Sequence, residues 1–329
     1  MPRVTKFFDS NDDNIAALRA AHPEGLRFVV GDTHGECPTL RALMEKIRFD
    51  PARDHVFFVG DYNAGGDPTA LLRYISLFYQ ADCRIPGFHL IRGNHERELG
   101  PIYPLENLPD LFVVRGAHLD FFIAHAGMVS SAFDLICRDM AQDPGKSVYS
   151  YGLDDCCVAY DAPLRQLIWS RRGLYSQRSR WHTWPSEDAL RRNRACIIHG
   201  HTPFCFFMGR GPFSYGDLSL FWNDQHIWYS QDLRSFDIDA NVKGRYENGE
   251  SYRGLACLCL DSLDEIAGQN GGDLTIGSIL QAPNFVFAAD HAPGWDNSEG
   301  GIRRVLDAAP KMKRIGLDRS GEPFIRRAD

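Results

Sequence analysis

Gly31-Asp32-Thr33-His34-Gly35 follows the apolar run Leu26-Arg27-Phe28-Val29-Val30 and precedes a stretch with helical spacing. It reads as a strand, a ligand-bearing turn and a helix. An Asp and a His two apart, flanked by glycines that let backbone come close to an ion, are able to turn inward on one metal. One such motif is weak, but the pattern recurs. An apolar run, a small residue and then Asp, Asn or His stand at Gly60-Asp61, Gly93-Asn94-His95-Glu96, Ala124-His125-Ala126-Gly127 and His199-Gly200-His201-Thr202. Five strand ends offering oxygen and nitrogen ligands point to one binuclear metal site.

Outward from that stretch, the elements alternate. A helix start at Ser10 and Asp13 carries Ile15 and Leu18 on one face and stops at Pro23 and Gly25. After the opening motif, Pro38 suits a first helical turn and Leu40, Leu43, Met44 and Ile47 recur at helical spacing. His55-Val56-Phe57-Phe58-Val59 is a strand leading to Asp61, Asp67-Pro68 restarts a helix, and Phe88-His89-Leu90-Ile91 is a third strand. Leu111 to Val114 and Leu119 to His125 read as a hairpin, followed by a helix around Ser131 to Met140. Ala195 to Ile198 leads into the last His motif. The runs Phe236 to Val242 and Gly254 to Leu260 are expected as closing strands of a second sheet. Mostly apolar strands alternating with helices describe an α/β domain whose functional loops leave the carboxyl ends of the strands. Arg191, Arg192 and Arg194 read as a solvated helix face and end.

Composition narrows the class. The 329 residues carry a net charge of -7, with a pI near 5.9, which argues against bulk electrostatic binding of nucleic acid. Nine cysteines with no Cys-x-x-Cys pair, several in apolar runs, read as buried thiols in a reducing cytosol. The N-terminus Met1-Pro2-Arg3-Val4-Thr5-Lys6 has no apolar leader, and no apolar run approaches bilayer-spanning length. A cytoplasmic protein without membrane partners is the expectation, with its oligomeric state open.

The five ordered motifs, from about Leu26 to about Leu260, resemble those of calcineurin-like metallophosphoesterases, and within them the bacterial branch of the serine/threonine phosphoprotein phosphatase (PPP) family. The resemblance implies a mixed α/β, four-layer sandwich of two mixed β-sheets flanked by helices. It places Asp32 and His34 on a first metal, Asp61 as a carboxylate bridging both, and Asn94, His125 and His201 on a second. Residue chemistry agrees: a bridging ligand needs two oxygens, Asn adds a neutral carbonyl oxygen, and imidazoles favour transition metals. Two divalent ions are therefore expected, manganese first, with iron, zinc or nickel as alternatives. They would supply a bridging hydroxide for in-line attack on phosphorus. His95 corresponds to the family's catalytic histidine, a general acid near the leaving group. Asn94, Arg97 and Arg171 are the candidates for contact with the substrate phosphate, since a planar guanidinium suits two phosphate oxygens at once.

One departure bears on substrate. Where the family continues after Asp61 with an Asp and an Arg before the closing Gly, this chain has Ala64 and Gly65. The resemblance therefore implies an intact metal site with a thinned substrate shell. The expected reaction is hydrolysis of a phosphate monoester, as in a phosphoprotein. The alternatives are a dinucleoside polyphosphate hydrolase or phosphodiesterase and, in another class, a weakened module that binds phosphorylated ligands. Three segments are expected: an N-terminal helical extension over 1–25, a catalytic domain over 26–261 with an aromatic-rich insertion at 204–235, and a C-terminal extension over 262–329.

Overall fold

The computed structural model describes residues 12–63, 66–79, 87–98, 108–151, 164, 166–169, 184–202, 214–215, 218–222, 228–230, 232–240, 242, 254–281, 286–290, 315–317 and 323–325. In chain order these form α1 (Asp12–Ala21), β1 (Arg27–Val30), α2 (Cys37–Lys46), β2 (His55–Phe58), α3 (Pro68–Ser76), β3 (Gly87–Leu90) and α4 (Asn94–Glu98). Then follow β4 (Leu111–Arg115), β5 (Asp120–Ala124), α5 (Ser130–Gln142), β6 (Val148–Tyr149), α6 (Gln166–Trp169), α7 (Glu187–Arg192) and β7 (Ala195–His199). The remainder comprises β8 (Ser214–Tyr215), β9 (Leu218–Trp222), β10 (Trp228–Ser230), β11 (Ser235–Asp237), β12 (Gly254–Cys259), α8 (Leu260–Gln269), α9 (Ile276–Gln281), β13 (Val286–Asp290), β14 (Ile315–Leu317) and β15 (Pro323–Ile325).

Two mixed sheets result, as the resemblance implied. The first runs β13-β12-β1-β2-β3 and the second β6-β4-β5-β7-β11-β10-β9-β8. In the first, β1, β2 and β3 are parallel, with Val29 opposite Phe57 and Phe57 opposite His89. In the second, β5, β7 and β11 are mutually parallel. The strands are near-continuously apolar because both faces are covered. Val29 and Phe57 point inward, against Phe112, Ile123 and Ile198 of the second sheet. Their neighbours Phe28, Val30, Val56 and Phe58 point outward, into a core with Ile15 and Leu18 of α1 and Leu40 and Leu43 of α2. Phe122 and Ile197 face Phe133 and Ile136 of α5 and Leu190 of α7. Helix, sheet, sheet and helix are the four layers.

One expectation is corrected. The run from Gly254 does not close the second sheet; as β12 it lies antiparallel to β1 in the first, with Val29 opposite Leu258. Only the run at Phe236 joins the second sheet, parallel to β7. Both runs are apolar and short, so local pattern cannot distinguish the sheets, and pairing partners decide. The chain then enters α8, whose Leu263, Ile266 and Ala267 lie in the core between the sheets.

Candidate metal centre

The carboxyl ends of β1, β2, β3, β5 and β7 converge, and each delivers its motif there. Three candidate ligands adopt left-handed backbone: His34 (φ 43), Asp61 (φ 57) and His201 (φ 70). Such conformations cost about 1–3 kcal/mol each and persist where surrounding structure dictates them. Here neighbouring loops lock them. The His34 N–H donates to the Asp61 carbonyl at 2.7 Å, and the His201 N–H donates to Asp32 Oδ2 at 3.0 Å. The Gly60 turn (φ 110) lies so close to Gly93 and His125 that a side chain at position 60 would meet both.

Asp61 sits at the centre, 2% exposed. Its Oδ2 is 3.8 Å from His34 Nε2 and 3.8 Å from His95 Nε2, and its Oδ1 is 3.5 Å from His125 Nε2. Two groups of atoms able to ligate a metal therefore share it, His34, Asp61 and His95, and Asp61, His125 and His201, those of each group lying within 4.8 Å of one another; His95 completes the first group by position, while the role expected for it is that of proton donor. Asp32 Oδ2 lies 4.0 Å from His34 Nε2. Asn94 Oδ1 lies 2.9 Å from His125 Nε2, and His201 Nδ1 lies 3.0 Å from the same nitrogen.

The tautomer of His125 is fixed by its surroundings. Its Nδ1 is 2.7 Å from the Val59 carbonyl, which only accepts, so Nδ1 carries the proton and Nε2 of the neutral ring presents a lone pair. That lone pair faces Asn94 Oδ1, His201 Nδ1 and Asp61 Oδ1. Ligand atoms about 2.1 Å from a shared ion and at right angles stand about 3.0 Å apart. The observed 2.9–3.5 Å separations fit that requirement. The acid balance agrees. Burial, followed by the carboxylates of Asp239, Asp61 and Asp237, pushes the Asp32 carboxyl well above its usual range. A divalent cation relieves that repulsion. The donor set, carboxylates with imidazoles and an amide oxygen, suits transition metals rather than calcium.

Three supporting residues had no assigned role in the sequence reading. Glu96, buried, accepts N–H groups from Asp61 (2.8 Å), Tyr62 (2.7 Å) and Gly93 (2.8 Å), so one carboxylate fastens the β2 and β3 ligand loops together. Burial and then Asp61 push its carboxyl up to about 8. Asp239, 2% exposed, follows β11 and is the foremost charged neighbour of Asp32. Trp184 packs on Gly127, leaving no room for a side chain there, and lies 5.6 Å from the His199 ring. His199 Nδ1 is 3.6 Å from Asp237 Oδ2. The signal for Glu96 was its place two residues after Asn94. Asp237 and Asp239 become visible only through the parallel pairing of β11 with β7.

His95 is part-exposed at 23%, its ring 5.6 Å from that of His34 and its N–H donating to Asp61 Oδ1 at 3.1 Å. Arg97 lies in α4 with its side chain outside the described residues. Arg171, Ala64, Gly65 and most of the 204–235 segment also lie outside them. No helix among the described residues is long and apolar enough to cross a membrane.

The fold and the site define a metallophosphoesterase. A sequence profile of the calcineurin-like phosphoesterases matches residues 28–205, more than half of the chain, and the chain belongs to that family. Curated relatives include the symmetrical bis(5'-nucleosyl)-tetraphosphatases of Actinobacillus succinogenes, 27% identical over 174 residues (45% of this chain, 58% of that protein), and of Photorhabdus laumondii, 35% identical over 77 residues (23% and 26%). The chain thus spans less than two thirds of the length of these relatives. Among solved structures, a protein serine/threonine phosphatase from Saccharomyces cerevisiae aligns at TM-score 0.47 with 15% identity, covering 84% of each chain. A cold-active protein-tyrosine phosphatase from a Shewanella species aligns at 0.40 with 16% identity, covering 73% and 78%. Those two likenesses are too slight to carry an argument about substrate.

Proposed function

We propose that this chain hydrolyses phosphoric esters or anhydrides at a binuclear centre. Asp32, His34 and Asp61 would hold one divalent ion, and Asp61, Asn94, His125 and His201 the other, manganese being the first choice. The observation that carries the reading is the position of Asp61, whose two oxygens face different histidine groups. Divalent ions bound there supply a water of pKa lowered toward about 7 and neutralise charge on phosphoryl oxygens. The chain's own residues do the rest. Val59 and Glu96 fix His125 and Asp61 in the orientations described. His95, reaching solvent beside Asp61, is placed to give a proton to the leaving oxygen, a contribution of about 10²–10⁴ where it operates. Asn94, Arg97 and Arg171 orient the phosphate. We further propose residues 26–261 as the catalytic unit, with the flanking segments supporting it, and a cytoplasmic location.

Two substrate classes are supported by different observations. The motif order resembles that of phosphoprotein phosphatases and supports a phosphomonoester. The names of the curated relatives support a dinucleoside tetraphosphate, and the small Ala64 and Gly65 suit a bulkier group. The decisive experiment gives metal-stripped protein manganese, iron, zinc or magnesium in turn. It then follows p-nitrophenyl phosphate, its bis-ester, a phosphopeptide and diadenosine tetraphosphate, for wild type and Asp61→Asn. Metal-dependent turnover lost in Asp61→Asn is expected, and the preferred substrate names the class. Stoichiometric metal binding without turnover of any of the four would refute the hydrolase reading in favour of a phospho-ligand binding module.

A further inference from the structure

A second polar cavity, of 460 Å³, lies away from the metal centre. Arg191, Arg194 and Arg234 line it together with Gly271, Gly272 and Asp273, the last being its one acidic lining residue. Its place in the fold is definite. Arg194 immediately precedes β7, Arg234 immediately precedes β11, and the β4–β5 turn that precedes β5 forms another wall. These three parallel strands carry His125, His201 and Asp239 beyond their other ends. The five residues of β5 and of β7, at about 3.3 Å per residue, separate the two sites by about 16 Å.

The cationic groups are held but not saturated. Arg194 donates from Nε and Nη2 to the His118 and Gly116 carbonyls (3.1 and 3.0 Å), which consume no charge. Arg191 pairs with Glu187 and Asp273 at the rim. Arg234 has a side chain only 3% exposed. Its Nη2 donates to the Gly272 carbonyl and Asp273 Oδ1 at 2.6 and 2.7 Å. Its Nε and Nη1 find no acceptor among the described residues. Those two nitrogens are enclosed, so the buried guanidinium acts on the cavity through its charge and through Nη2 at the Gly272 and Asp273 wall. Gly271 and Gly272 leave the space beside them open. In a chain of net charge -7, the three guanidinium groups stand against Asp273 and the Glu187 that pairs with Arg191, which leaves an excess of one positive charge among these five groups. Guanidinium forks match the paired oxygens of carboxylate and phosphate alike, but a phosphoryl group sets three acceptor oxygens on one centre where a carboxylate sets two, and the volume exceeds what one inorganic ion fills.

We propose that this cavity binds a small phosphate-bearing anion, at a site separate from the metal centre. The test is calorimetric titration of inorganic pyrophosphate into the full-length chain, metal-stripped and dialysed. Saturable binding is expected, retained in Asp61→Asn. It should weaken about tenfold or more in Arg191→Glu and in Arg194→Ala, the loss set by a charge-assisted contact. Arg191→Glu also sets a like charge against Glu187 and Asp273, so Arg191→Gln is run beside it, and a cooperative melt of each variant is the folding control. Citrate should bind more weakly than pyrophosphate. Absence of saturable binding would overturn the proposal. Loss in Asp61→Asn with both arginine variants unaffected would do the same, as would citrate binding as tightly as pyrophosphate.

Discussion

Glu96→Gln tests how the ligand loops are held. In the wild type, Oε2 accepts from Asp61 N and Gly93 N at 2.8 Å each and Oε1 accepts from Tyr62 N at 2.7 Å. Glutamine keeps one oxygen, which can still take the Asp61 and Gly93 pair, but its NH₂ then opposes the Tyr62 N–H. One buried backbone donor loses its partner and the amide brings donors of its own, at about 1–3 kcal/mol for each group stranded. The remaining two bonds lose their ionic character wherever the carboxyl is ionised, which burial and Asp61 confine to pH above about 8, so the comparison is made at roughly pH 9. Relief of the carboxylate's burial works the other way. The net expectation is a loss of about 2–4 kcal/mol, a fall in Tm of roughly 3–6 °C for a chain of this size. Because Asp61 belongs to both ligand groups, metal affinity should fall by about 10–100-fold, the usual effect of removing a group that orients a ligand. Urea unfolding of the metal-stripped protein and manganese titration measure the two effects separately. A variant within about 0.5 kcal/mol of wild type with unchanged manganese affinity would refute the clamp.

Further perturbations follow from the same geometry. Gly200→Ala would drive a methyl group into the Asp32 carboxylate and Val59, and manganese occupancy by elemental analysis should drop while overpacking costs about 1–3 kcal/mol. Asp54→Ala removes a fully buried carboxylate that takes both Arg19 terminal nitrogens at 2.7 Å and the N–H groups of Leu26 and Asp50. Stranding Arg19 there should cost about 3–5 kcal/mol in urea unfolding, and a loss under about 1 kcal/mol would mean that α1 is not tied down this way. Tyr62→Phe deletes the bond from the Tyr62 hydroxyl to the Ile91 carbonyl at 2.9 Å; a loss of about 0.5–1.5 kcal/mol is expected, with turnover little changed. Burial pushes the Cys196 thiol up to about 12, so mass mapping after thiol labelling of native protein at pH 8 should find it unmodified.

What could be read in the sequence was whatever depends on neighbours along the chain. The turns at Asp32, Asp61, Asn94, His125 and His201, the candidate ligands, each follow a mostly apolar strand, and that local signature predicts the element and the loop it serves. The hairpin from Leu111 to His125 and the helix over Ser130–Gln142 were legible for the same reason. Sheet membership was not. Gly254–Cys259 and Ser235–Asp237 are equally short and apolar, yet one pairs with β1 and the other with β7, a choice made by partners more than two hundred and some forty residues distant respectively. That choice has a chemical consequence. Placing β11 beside β7 brings Asp237 within 3.6 Å of His199 and Asp239 into the field of Asp32. It also sets Arg234 beside Arg194 at the opposite ends of the same strands. The parallel pairing therefore gathers acids beside the candidate metal centre and arginines around the proposed anion site, and neither gathering has a signature at any single position of the chain.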